Sequence, residues 1–273
     1  MTGFNSIAPA QLSRLIGTPE APVLIDVRTD EDFALDPHLL PCSLRAAHSD
    51  VATLAARIGT RIGTRGAVVI CQRGLKLSEG AAALLRATGV AAETLEGGWE
   101  AAREAGLPAL PARLLPASGQ PGLWVTRHRP KIDRIACPWL IRRFIDPEAR
   151  FLFVAPSEVS AVADRFGATA FDIEGVSFSH RGEMCSFDAF LDDFGLHSAA
   201  LDRLALVVRA ADTDRHDLAP QAAGLLALSV GLSRQYRDDI AQLDAGMALY
   251  DALYRWARDG HDEGHDWPAG RRE

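Results

Sequence analysis

Within the stretch Val68–Ser78, VVICQRGLKLS, a thiol, a glycine and two cations fall close together as Cys71, Arg73, Gly74 and Lys76. An apolar run breaks at the cysteine and a helix-forming segment follows, which predicts a strand, a loop and a helix. Cys71 then stands at the C-terminal edge of a strand, where open α/β folds place their ligand crevice. Gly74 permits a tight turn whose successive backbone N–H groups point inward as an anion-binding nest. The helix start adds the positive end of its dipole, and Arg73 and Lys76 add charge. All of these favour the reactive thiolate, so Cys71 is read as a nucleophile. Gln72, Arg73, Gly74, Leu75, Lys76 and Leu77 form the loop that would bind its substrate.

Two further groups of residues carry chemistry. TRHRPKIDR (126–134) is a basic cluster running into CPWLIRRFID (137–146). Proline is favoured in the first helical turn, so Cys137 before Pro138 reads as a helix cap with a lowered thiol pKa. With Arg127, His128 and Arg134 it would attract a small oxyanion or act as a redox thiol. The competing reading is that Cys137 and Trp139 are buried packing. In SHRGEMCSF, His180, Glu183 and Cys185 are donors acceptable to a transition metal, if a turn at Arg181–Gly182 gathers them. Asp212, Asp214 and His216 of ADTDRHD could add ligands from across the fold. No spacing here compels a metal site, and the competing reading is a hydrogen-bonded loop with a buried cysteine.

The elements that must position these residues fall into two sets. APVLIDVR (21–28), GAVVICQR (66–73) and AAETLEGG (91–98) read as strands. APAQLSRLIG, HSDVATLAARIG, LSEGAAALLRATG and WEAAREAG read as helices between and after them. Near-continuous apolar strands alternating with helices predict a parallel sheet covered on both faces. GLPALPARLLPASGQPG (106–122) has no sustained period and reads as a linker. Beyond it, GLWVTRHR, ARFLFVAP and ATAFDI read as strands, and nearly everything after Ser186 as helix. LAPQAAGLLALSVGLS is short for a membrane span and reads as a buried bundle helix, with a dimer interface as its other use. The expected organisation is a domain at 1–108, a linker at 109–122, an α+β domain with a helical C-terminal half at 123–260, and a flexible tail at 261–273.

With 273 residues, 48% hydrophobic and 24% charged, the chain can bury a real core. A net charge of -7 disfavours nucleic-acid partners and adhesion to anionic membranes. The N-terminal residues show no basic stretch followed by an apolar core, and no apolar run approaches spanning length. The four cysteines are scattered without a C-x-x-C pair, which fits reduced thiols in a cytoplasm.

Residues 1–108 resemble a single-domain rhodanese, a sulfurtransferase. The residues that carry this are LIDVRTDEDF (24–33), DPHLLP (36–41), the C-x-x-G-x-K loop at 71–76, and LEGGWEAAREAGLP (95–108). The loop length separates this family from the tyrosine phosphatases and arsenate reductases, which need C-x5-R; here that position is Leu77. The resemblance implies a rhodanese-like parallel sheet flanked by helices, and a two-step reaction. The Cys71 thiolate takes sulfane sulfur from a small-molecule donor such as thiosulfate and passes it to a thiol or cyanide. Amides of residues 72–77 would hold the persulfide's charge. No cofactor is required. Asp26 and Arg28 would shape the fold and pocket rim. Cys42 stands where members often have glycine, and Lys76 where they often have arginine. Lysine keeps the charge but cannot make a bidentate contact, which leaves donor preference open.

Residues 123–259 resemble the C-terminal domain of the chromate-resistance B family. The residues are WVTRHRPKIDRIACPWLIRRFID (124–146), FDIEGVSFSHRGEMCSFDAFL (171–191), ADTDRHDLAPQAAGLLALSVGLSR (211–234) and YDALYRWAR (250–258). Some members are chromate-responsive regulators whose DNA binding is attributed to a different N-terminal domain, so that role does not carry over. The joint expectation is a sulfurtransferase linked to chromate or sulfur stress, with chromate or a transition metal as ligand of the second domain. The other expectation is a non-catalytic chromate or metal sensor or regulator that uses the rhodanese part as a binding module.

Overall fold

The computed structural model describes residues 5–57, 59, 65–117 and 120–264. Its first sheet has five parallel strands: β1 (Ser6–Ile7), β2 (Val23–Asp26), β4 (Leu44–Arg45), β5 (Ala67–Ile70) and β6 (Ala92–Leu95). Their spatial order is β1-β6-β5-β2-β4, so β5, which delivers Cys71, is central. All residues of β2 and β5 are buried, as expected of strands covered on both faces. Alternate side chains enter different cores. Val23, Ile25, Ala67, Val69 and Cys71 pack with α3 (Val51–Arg57) and α4 (Lys76–Ala87). Leu24, Val68 and Ile70 point the other way, onto α1 (Pro9–Leu15) and α5 (Gly98–Glu104). The helix α2 (Asp30–Leu35) is capped by the Thr29 hydroxyl.

The second core does not stop at the first sheet. Leu12, Ile16 and Trp99 belong to the same apolar cluster as Trp124, Trp139, Phe144 and Phe187 of the second half. The Cys42 N–H donates to the Phe144 carbonyl at 3.0 Å, and Arg258 donates to the Arg14 carbonyl at 2.8 Å. The stretch expected to be a featureless linker is partly structured. Leu110–Pro111 (β7) pairs antiparallel with His38–Leu39 (β3), and a 3-10 turn follows at Ala112–Leu114.

The second half has a three-stranded parallel sheet, ordered β10 (Thr169–Ala170), β8 (Leu123–Arg127), β9 (Arg150–Val154). Its helices are α6 (Asp133–Leu140), α7 (Val159–Phe166), α8 (Ser186–Phe194), α9 (Ala199–Asp212), α10 (Ala222–Gln235) and α11 (Asp239–Arg255). Two sequence expectations are corrected here. Helix α6 starts at Asp133, so Pro138 lies inside it rather than in its first turn, and the helix gives way at once to a π-helical turn, Ile141–Ile145. Proline's missing N–H leaves an interior bond unmade, which fits this short helix. Helix α10 buries only one face, Ala222, Leu225, Ser229 and Ser233, while Leu228 is 54% exposed. Among the described residues, no helix is long and apolar enough to cross a membrane. Most of the expected tail, from residue 265, lies outside the described residues.

Candidate functional sites

Cys71 follows β5 directly, and the chain turns back over its sulfur. The Leu75 N–H donates to Sγ at 3.3 Å, and the Ser78 Oγ lies 3.1 Å away. Burial pushes the thiol up, but hydrogen bonds from the Ser78 hydroxyl and from the amides of Ser78, Leu75 and Arg73 outweigh it. The net displacement is downward, toward thiolate. Gly74 adopts φ +69°, the left-handed turn expected of it. The side chains of Gln72 and Arg73 do not converge on the sulfur; both reach Glu100 Oε1, at 3.2 and 3.3 Å. Lys76 opens α4 and is exposed, and Leu77 packs against the core that holds Cys71.

The loop is held in shape by its neighbour, the turn between β6 and α5. Trp99 N–H donates to the Cys71 carbonyl at 2.9 Å and Glu100 N–H to the Gln72 carbonyl at 3.1 Å. Only glycine fits beside them: a Cβ on Gly98, whose φ is +61°, would stand 2.2 Å from the Cys71 oxygen. Asp26 and Arg28 form a buried ion pair at 2.7 Å, with the guanidinium stacked 3.9 Å above the Trp99 ring. Arg28 also donates to the carbonyls of Asp36 and His38, so the pair braces the framework around the loop.

A second polar cluster lies in the other half. His180 Nε2 stands 3.1 Å from Asp212 Oδ2, 3.6 Å from Asp133 Oδ2 and 3.7 Å from Asp172 Oδ1. Asp172 is also bound by Arg127 at 2.7 Å, Arg134 at 3.3 Å and the Ser186 hydroxyl at 2.9 Å. Asp133 accepts from the Ser186 N–H at 2.6 Å. Burial, then the Asp212 and Asp172 charges, hold the Asp133 carboxyl well above its ordinary range. Asp212 is also raised, by burial and then Asp172, with His180 opposing.

The structure thus gathers Arg127, Arg134, His180 and Asp212, and separates the remaining candidates. Cys137 is no helix cap: it is in the interior of α6 and fully buried, and burial, then the Asp133 and Asp172 charges, push its thiol well up. His128 is exposed and lines a different crevice, with Arg129, Arg234 and Arg237. The turn at Arg181–Gly182 forms, closed by mutual hydrogen bonds of Arg181 and Met184. It leaves Glu183 exposed, so His180, Glu183 and Cys185 do not converge as a ligand set. Cys185 caps α8, and burial, then the Asp133 and Asp188 charges, push its thiol far up. Asp214 is 96% exposed on its side chain and outside the cluster, with His216 beside it at 3.8 Å. Sequence reasoning missed Ser78, readable as a hydroxyl in the first turn after the loop, and Asp133 and Asp172, which carry no local signal.

The geometry thus defines a helix-flanked parallel α/β sheet bearing a screened thiol, joined to an α+β half with a charged centre. Residues 124–257 match the family described as ChrB, C-terminal domain. The protein ChrB of Cupriavidus metallidurans is 37% identical over 140 residues, covering 51% of this chain and 42% of that protein. The chain therefore spans less than half the length of this relative. Among solved structures, the chain is similar to a rhodanese-related protein from Thermoplasma volcanium, with 22% identity and a TM-score of 0.31. That match covers 39% of this chain and 98% of the other. It is also similar to a thiosulfate sulfurtransferase from Pseudomonas aeruginosa, with 27% identity and a TM-score of 0.32, covering 38% of this chain and 19% of the other.

Proposed function

We propose that the chain is a sulfurtransferase that carries sulfane sulfur as a persulfide on Cys71. The observation that carries this reading is the contact of Sγ with the Leu75 N–H and the Ser78 hydroxyl, within a loop that lowers the thiol pKa. The thiolate attacks the outer sulfur of thiosulfate, a sulfur–sulfur bond forms to Cys71, and sulfite leaves with the electron pair of the bond that breaks. The same N–H donors face the terminal sulfur's negative charge. A thiolate or cyanide then attacks that sulfur and Cys71 departs as thiolate, ready for another cycle. Cys137 and Cys185 are poor acceptors, being fully buried with raised thiols. The acceptor is a small molecule or another protein. Four free cysteines suit a reducing cytoplasm. The match of residues 124–257 to the ChrB C-terminal domain supports a link of this activity to chromate stress.

One observation favours a second reading. Cys71 is only 4% exposed, which suits a module that senses or binds without turnover. Incubation with thiosulfate and cyanide, followed by mass spectrometry of the Cys71 peptide, separates the two. A Cys71 peptide heavier by one sulfur, with thiocyanate release abolished in a folded Cys71→Ser variant, supports the enzyme. No added sulfur and no thiocyanate overturns it.

A further inference from the structure

The charged centre of the second half is not used by sulfur transfer at Cys71. Four separate stretches meet there: Asp133 starts α6, Asp172 follows β10, His180 precedes the Arg181–Met184 turn, and Asp212 ends α9. Asp172 is fully engaged by two arginines and a hydroxyl. Asp133 and Asp212 are not. Among the described residues neither has a lysine or arginine within ion-pair distance, and His180 is the one basic side chain that reaches either. Asp133 is 1% exposed, and its Oδ1 has no hydrogen-bond partner. A buried carboxylate oxygen left without a partner is costly unless a proton or a cation meets it.

We propose that Asp133, His180 and Asp212 bind a divalent first-row transition-metal ion. One ligand atom from each lies within 4.8 Å of the others. Nitrogen and oxygen ligands sit roughly 2.0–2.2 Å from such an ion, so neighbouring donors stand roughly 3.0–3.6 Å apart. The His180 distances to Asp212 and Asp133, 3.1 and 3.6 Å, fall in that range. One imidazole with carboxylates suits manganese, iron or zinc better than the harder magnesium and calcium. Three protein ligands leave coordination positions open. His180, with a side chain 41% exposed, shares a crevice with Arg127, Asp172 and Ser179, so an ion enters from solvent. Arg127, which lines the same crevice, suits a bound ligand with anionic oxygens.

The test uses the full chain, stripped with a chelator and titrated with MnCl2 alone, free Mn2+ being read by electron paramagnetic resonance; Zn2+ is titrated against a chromophoric chelator. The expected result is one saturable site per chain, weakened by at least about tenfold in His180→Gln and in Asp212→Asn. Glu183→Gln, exposed and outside the cluster, should bind as the parent does. His180 is half-exposed, so His180→Gln carries the test even if Asp212→Asn fails to fold. Absence of saturable binding for both ions, or a loss smaller than tenfold in folded His180→Gln, overturns the proposal.

Discussion

Trp99 donates its backbone N–H to the carbonyl of Cys71 at 2.9 Å, so the Cys71 loop is fastened by the turn that follows the neighbouring strand, β6. Through its ring, the same tryptophan lies under the Arg28 guanidinium, which is paired with Asp26 at the end of β2. Three adjacent strands of the sheet, β2, β5 and β6, thereby meet at one point behind the thiol. The shape of the loop is a property of the sheet and its turns, and not of the Cys71–Leu77 sequence alone.

Gly98→Ala tests that fastening. The added Cβ would stand 2.2 Å from the Cys71 oxygen and 2.4 Å from the Gly74 nitrogen, at a φ of +61° that alanine rarely adopts. Both effects together should cost about 2–3 kcal/mol of stability, measured by urea unfolding. Displacing the Cys71 carbonyl also moves Sγ, so persulfide formation should slow by at least about tenfold. A variant with parental stability and rate would show that the two turns do not constrain each other.

Ser78→Ala tests the origin of the low thiol pKa. Burial raises Cys71, and the Ser78 hydroxyl opposes it most, ahead of the three amides. Because the folded value lies below the unfolded one, the thiolate adds stability above the unfolded pKa, and that contribution is lost as pH falls through the folded pKa. Removing the hydroxyl should move the pH profile of Cys71 alkylation to higher pH and slow alkylation at neutral pH. An unmoved profile would assign the shift to the amides.

The shape of the Cys71 loop was legible because its signals are local. The buried strands announce themselves as apolar runs, and cysteine, glycine and helix start follow within a few residues. The charged centre was half legible: His180 and Asp212 are candidate ligands by residue type. Their partners Asp133 and Asp172 are brought in by tertiary folding and look like ordinary polar residues in IDRIACPW and FDIEG. Pro138 misled for a physical reason. Proline usually opens a helix, yet α6 accepts one in its interior and ends soon after it. The stretch 106–122 read as a linker because strands as short as β3 and β7 leave no periodicity.

Gly17→Ala tests whether the two halves share one core in solution. Gly17 follows α1 with φ +78°, and a Cβ there would stand 2.3 Å from the Phe144 ring. Phe144 is 1% exposed and meets Trp139 and Tyr254 edge-on, with centroids 5.9 and 5.6 Å away. The ring has no free space to swing into, so the methyl must either strain the second half's core or open the seam. A loss of about 2–3 kcal/mol is expected, as for other overpacked sites. The informative readout is which half feels it. Proteolytic cleavage within the first sheet reports the first half, and the near-ultraviolet signal of the Trp139, Phe187 and Tyr254 cluster is dominated by the second. If both share one core, both urea midpoints fall together. A fall in the proteolysis probe alone would mean that the first half unfolds independently and that the seam around Phe144 is loose.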